Sequence, residues 1–248
     1  MIGRAISAVR HVRFRLWART VDARLRRLGG RFILDAPQTP RYLGLPRVEI
    51  DEGGGTLTLR VGRECKLGRD VVFDLAPRQD GTIELGDRVT LQNGVRLQPW
   101  GGAIRLGDGA QVRDNCELKS RGELVLAARV ILGRHVTLHA NERIELHTCV
   151  GLAERVTVMD SDHGFDGSDT FFMDQPVHSD PVVIEHNVFL GTNVVVLRGT
   201  TIGRNAVAAA GAVLTGGEYP AGWLVGGIPA RPLKPLAAQL EAPATPPA

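Results

Sequence analysis

Ile184-Glu-His-Asn-Val-Phe, Leu190-Gly-Thr-Asn-Val-Val, Val196-Leu-Arg-Gly-Thr-Thr, Ile202-Gly-Arg-Asn-Ala-Val and Ala208-Ala-Ala-Gly-Ala-Val are five consecutive hexapeptides in one phase. An aliphatic residue stands first, a small or turn-forming residue often second, and a small or β-branched residue fifth. Working outward, the same unit returns at Val61-Gly-Arg-Glu-Cys, Leu67-Gly-Arg-Asp-Val, Leu85-Gly-Asp-Arg-Val and Leu91-Gln-Asn-Gly-Val. It continues at Leu106-Gly-Asp-Gly-Ala, Val112-Arg-Asp-Asn-Cys, Leu126-Ala-Ala-Arg-Val, Leu132-Gly-Arg-His-Val, Leu146-His-Thr-Cys-Val and Leu152-Ala-Glu-Arg-Val. A fixed short period of this kind is the signature of a solenoid.

Three hexapeptides make one triangular coil of roughly 18 residues, whose short parallel strands stack on the neighbouring coils at about 4.8 Å. First and fifth positions point inward and form a continuous aliphatic stack, with Cys65 and Cys116 at fifth positions as buried thiols. Coil starts at 61, 85, 106, 126, 146, 184 and 202 are separated by 24, 21, 20, 20, 38 and 18 residues. About seven coils are expected, and the 38-residue gap holds one coil plus a loop over 161–181.

Composition agrees with an all-β soluble domain over residues 57–234. Of 248 residues, 43% are hydrophobic and 23% charged, with 30 Gly and 12 aromatics. No apolar run approaches the roughly 20 residues that span a bilayer, and Met1–Gly30 lacks the features of a secretion signal. A cytoplasmic location is the expectation. Three unpaired-looking cysteines (Cys65, Cys116, Cys149) suggest neither a disulfide framework nor a zinc cluster. Net charge is +3, but residues 1–31 carry nine Arg and one acid, giving +8 and leaving −5 for the rest. That asymmetry argues against a nucleic-acid surface on the main domain.

Residues 1–30 read as a basic amphipathic helix, with Ile2, Ile6, Val9, Phe14, Trp17, Val21, Leu25 and Leu28 at three- to five-residue steps before Gly29-Gly30. It either packs on its own protein or makes peripheral contact with the inner face of a membrane. Residues 31–56 read as a connector and 235–248 as a flexible tail.

The repeat resembles the left-handed parallel β-helix of hexapeptide-repeat acyltransferases; the hand is implied by the resemblance, since parallel crossovers are otherwise right-handed. From Leu146 to His163 and from Pro181 to Lys234 the chain resembles the galactoside and maltose O-acetyltransferases. The stretch Asp162-His163-Gly-Phe-Asp166-Gly167 is similar to the loop of the streptogramin acetyltransferases. The resemblance implies acetyl-CoA as acyl donor, no metal, and a homotrimer with sites shared between neighbours.

His163 is singled out by position: it breaks the repeat at the root of the long loop, and it matches the family's catalytic histidine. An imidazole there suits the general base that takes the proton of an attacking hydroxyl or amine. Asp162 is a candidate to orient it. The resemblance places coenzyme A against Phe189, Thr192, Ala210, Thr215, Arg231 and Lys234. Phe189 stands where the family commonly has Trp, and Ile228 where Asn is frequent. One coil register stacks His139 and Asn141 against Met159, Asp160 and Ser161, so His139, Asn141 and Asp160 are candidate acceptor contacts. Phe171-Phe172-Met173 is expected to pack on a neighbouring subunit. The expected activity is acetyl transfer to a sugar or glycan hydroxyl. N-acyl transfer to an amino sugar, use of another acyl-CoA, and a non-catalytic scaffold are the alternatives. A zinc carbonic anhydrase is disfavoured by the histidine spacing.

Overall fold

The computed structural model describes residues 2–50, 53–76 and 78–236, with side chains from residue 8 onward. One α-helix, α1 (Ile2–Arg27), precedes a parallel β-helix. The coils build three sheets, called here the first, second and third faces, of nine, ten and eight strands; every coil but the last gives one strand to each. Neighbouring strands pair in parallel and in register: Ala103–Leu106 lies between Gly81–Leu85 and Glu123–Leu126.

The register explains the repeat. Ile83, Ile104, Leu124, Ile144 and Val182 form one inward column of the first face, each fully buried. Leu97, Leu118, Leu138 and Val158 do the same on the third face. Each such side chain contributes about 1.5–3 kcal/mol through burial. Glycine is common at the second position because the coils touch there. A Cβ on Gly68 would lie 2.5 Å from the carbonyl carbon of Gln92 in the next coil. Cys65 and Cys116 are buried as expected, and Cys149 is half-buried.

Two expected boundaries are corrected. Residues 31–56 are not a connector: Arg31–Asp35, Arg41–Tyr42 and Arg47–Ile50 form a first coil, pairing with Thr56–Val61, Lys66–Leu67 and Val72–Leu75. This coil lacks the repeat's signature because one of its two ends meets the helix rather than another coil. With a last coil beginning at Gly217–Tyr219, the solenoid has nine coils rather than seven. The chain then turns back, and Ala230–Pro235 pairs antiparallel with Trp223–Gly227. Residues 237–248 of the expected tail lie outside the described residues.

α1 caps the open end of the coil stack. Phe14, Val21 and Leu25 are buried in the core, with Trp17 half-buried beside them. Phe14 stacks on Trp17 (5.1 Å) and Tyr42 (6.1 Å), and Trp17 meets Phe32 edge-on at 5.5 Å. Asp22 accepts the Phe32 N–H at 3.0 Å, and the Tyr42 hydroxyl donates to the Arg10 carbonyl. Gly29, at φ +84°, ends the helix where an L side chain would be strained.

Candidate active site

The loop leaves the sixth coil at the corner between the third and first faces. Asp160 ends the strand Thr157–Met159 and turns its carboxylate into the protein. It accepts the backbone N–H groups of Asn141 (2.7 Å), Glu142 (2.8 Å) and Arg143 (2.7 Å). The side chain is fully buried, so the expected acceptor contact by Asp160 is corrected: both oxygens are spent holding the corner of the coil below.

Beyond Asp160 the segment is a braced hairpin. Ser161–His163 pairs antiparallel with Val177–Ser179, placing His163 opposite Val177. The feet are joined by Asp180 N–H to the Asp160 carbonyl (2.9 Å) and by the Asn141 side-chain amide to Ser179 Oγ (2.7 Å). Arg198, one coil later, donates from Nε to Asp162 (2.8 Å) and lies 3.6 Å from Asp180. At the tip, buried Gln175 accepts the Asp166 N–H (3.0 Å) and donates to the Thr170 carbonyl (3.1 Å).

His163 is half-buried with its ring edge-on to Phe172 at 5.5 Å. Phe165 stacks on Phe172 (6.4 Å), and Phe171 touches it at 4.9 Å. Nδ1 is buried with no hydrogen-bond partner among the described residues, so Nε2 is the accessible nitrogen. Asp162 lies next in the strand and so points to the other side, where Arg198 takes it. Within one chain, Asp162 therefore braces the hairpin and does not reach Nδ1. The ridge Phe165, Phe171 and Met173 is 81%, 60% and 54% exposed.

The outward ladder of the third face leads to this corner through Lys119, His139 and Met159 in register. Lys119 Nζ sits 4.1 Å above the Trp100 ring. Burial first, and the Lys119 charge second, hold the His139 imidazole below its ordinary pKa. His139 is thus a neutral hydrogen-bonding group beside the loop. Asn141 is not free in the same way, since its amide nitrogen is committed to Ser179.

The expected coenzyme A residues fall in two groups. Thr215 stacks over Leu197 at the corner that carries the hairpin, as the pairing of Val196 with Leu214 requires. Phe189 and Lys234 share one outward column of the second face, through Val207 and Leu224. Thr192 and Ala210 stack at the corner joining the second face to the third, beside the Gly211 N–H to Thr192 carbonyl bond (2.9 Å). The residues present suit an anionic nucleotide with a flexible thiol arm. Phe189 is 48% exposed above Gly151, where a Cβ would meet its ring at 3.3 Å. Arg231 and Lys234 are exposed and have no acidic partner among the described residues.

Arg198 is a part of the site that the hexapeptide Val196-Leu-Arg-Gly-Thr-Thr does not single out. The available signal was the pair of aspartates at the two feet of one loop, 162 and 180, which a cation on the next coil can join.

Residues 181–216 match a family model described as the hexapeptide repeat of succinyl-transferase. WbbJ of Escherichia coli (strain K12), provisionally assigned as a lipopolysaccharide biosynthesis O-acetyl transferase, is 32% identical over 182 residues, 69% of this chain and 80% of WbbJ. A 2,3,4,5-tetrahydropyridine-2,6-dicarboxylate N-acetyltransferase of Staphylococcus aureus is 43% identical over 60 residues, 24% of this chain and 25% of that protein. Among solved structures, the polysialic acid O-acetyltransferase OatWY has the same fold, with TM-score 0.52 at 18% identity, covering 86% of this chain and 90% of OatWY. The in-register hexapeptide coils, the hairpin that interrupts them, and the likeness to WbbJ along most of both chains lead to one assignment: the chain belongs to the hexapeptide-repeat acetyltransferases.

Proposed function

We propose that this acetyltransferase moves the acetyl group of acetyl-CoA to a hydroxyl of a sugar or glycan, with His163 as general base. The carrying observation is His163 itself: of the two histidines on the hairpin, His178 is exposed, while His163 is half-buried against Phe172 on a hairpin held at four points, with Nε2 as the accessible nitrogen. Nε2 accepts the proton of the acceptor hydroxyl as its oxygen attacks the thioester carbonyl. Collapse of the tetrahedral intermediate breaks the C–S bond, and the imidazolium returns the proton to the leaving thiolate. No covalent enzyme intermediate is needed when both substrates are held together. The oxyanion would be met by backbone N–H groups at the coil corner.

A glycan hydroxyl is favoured over an amine by the relative that matches most of the chain: WbbJ, provisionally named a lipopolysaccharide biosynthesis O-acetyl transferase, matches 69% of it, whereas the N-acetyltransferase matches 24%. His139, neutral and in line with the hairpin, is the acceptor-side hydrogen-bonding group in this reading.

The separation of the two groups of residues supports a shared-site assembly in this reading. One chain puts His163 and Thr215 along one corner, and Phe189, Thr192, Ala210, Arg231 and Lys234 along the second face and its far edge. A homotrimer would bring the hairpin of one subunit to the coenzyme A wall of the next, covering Phe165, Phe171 and Met173. Light scattering should then give three times the 26.8 kDa chain mass, and a monomer at micromolar concentration would overturn the shared site. The activity is tested by a screen of sugar and amino-sugar acceptors with labelled acetyl-CoA. Label transferred in ester linkage supports the reading. Transfer only in amide linkage would replace it.

A further inference from the structure

α1 has two apolar faces, and the solenoid uses one. Phe14, Val21 and Leu25 turn into the end of the coil stack. Val9, Val12 and Leu16, at helical spacing i, i+3 and i+7, lie on the opposite face and are 59%, 54% and 54% exposed. Single exposed apolar side chains are ordinary on a protein surface, but here three stand in a row on one helix. Leu43, 71% exposed on the first coil, shares a shallow depression with Val9 and Arg13, so the apolar strip continues beyond the helix.

The charge around the strip has one sign. Arg13, Arg19 and Arg27 are exposed and make no ion pair among the described residues. The lone acid of residues 1–31, Asp22, is taken by Arg26 and the Phe32 N–H. The end of the molecule therefore presents apolar side chains among unneutralised guanidiniums, while the rest of the chain carries −5. A second copy docking here would set +8 against +8. A nucleic-acid partner would leave the apolar row facing phosphates. An anionic bilayer answers both features, because the row enters the headgroup–acyl boundary while the arginines meet lipid phosphates. The helix is not apolar enough to cross the bilayer, so it would lie in the interface.

We propose that the outer face of α1, with Leu43, docks the protein on an anionic phospholipid surface. The test is flotation of the full chain with phosphatidylcholine vesicles containing phosphatidylglycerol, against vesicles of phosphatidylcholine alone. The protein should float with the anionic vesicles and largely remain behind with the neutral ones. The triple variant Val9→Ser/Val12→Ser/Leu16→Ser should lose at least about tenfold in partitioning. The charge variant Arg13→Glu/Arg19→Glu should lose as much, since each basic residue near such a surface adds about fivefold. All five side chains are exposed, so unfolding midpoint and acetyl transfer should be unchanged in both variants. Absence of flotation, equal binding to both vesicle types, or undiminished binding by the triple variant would overturn the proposal. So would concentration-dependent self-association that the triple variant abolishes, which would mean that the strip is covered by another copy.

Discussion

Arg198 Nε lies 2.8 Å from Asp162 Oδ2, and the same guanidinium reaches Asp180 at 3.6 Å, so a residue of the seventh coil ties both feet of the hairpin that carries His163. Exposed ion pairs add little to global stability. Their value here is geometric, because a small displacement of a catalytic base costs rate. Arg198→Gln should lower kcat about tenfold while leaving coenzyme A affinity and the unfolding midpoint near those of the parent. Asp162→Asn should have a similar effect, and the double variant should be scarcely worse than either single one, as expected for partners in one interaction. Strictly additive losses in kcat would show that Asp162 acts on the reaction independently of Arg198.

Asp160 is predicted to be a stability residue. Removing its buried carboxylate leaves three part-buried backbone N–H groups, of Asn141, Glu142 and Arg143, without their acceptor. Asp160→Ala should cost about 2–3 kcal/mol by urea unfolding. A change below about 1 kcal/mol, accompanied by a raised KM for the acceptor, would restore Asp160 to the acceptor site.

His139 sets a pH dependence of known sign. Its pKa is held down by burial and Lys119, so below the ordinary value of 6.5 the unfolded chain binds a proton that the folded one resists. Its contribution is absent above pH 6.5 and destabilises progressively as pH falls below it. An NMR titration should place the His139 midpoint below that of the denatured chain, and His139→Gln should remove part of the acid loss of stability. A native midpoint at or above the denatured one would contradict the burial argument.

The thiols should separate by environment. Burial pushes the Cys116 thiol up to about 11, and Cys65 is raised for the same reason. Native protein should therefore titrate one thiol, Cys149, with an aromatic disulfide reagent at mildly alkaline pH, and all three in denaturant. Rapid modification of Cys65 or Cys116 in the native state would mean that the coil stack opens locally.

The repeat was legible because it is written in one coil after another: Leu85, Leu106, Leu126 and Leu146 occupy the same inward position and say so in the sequence. The first coil was not, because Phe32, Tyr42 and Val48 answer to a helix on one side, and the hexapeptide signature needs coils on both. His163 could be found because it interrupts a period. The brace of Arg198, Asp162 and Asp180 spans 36 residues in the sequence and only becomes visible when the coils are stacked. Asp160 shows the opposite failure. A carboxylate beside a candidate base suggested chemistry, while its burial and three N–H donors assign it to the backbone.

The most direct test of the account is the turnover of His163→Ala, measured alongside coenzyme A binding by the same preparation. Loss of a positioned general base should lower kcat by about 10²–10⁴-fold. Coenzyme A affinity and the unfolding midpoint should stay at the parent values, since the imidazole lies on a hairpin outside the coil core and touches none of the second-face residues. A His163→Ala protein that binds coenzyme A and still turns over at the parent rate would contradict the assignment of His163 as the base.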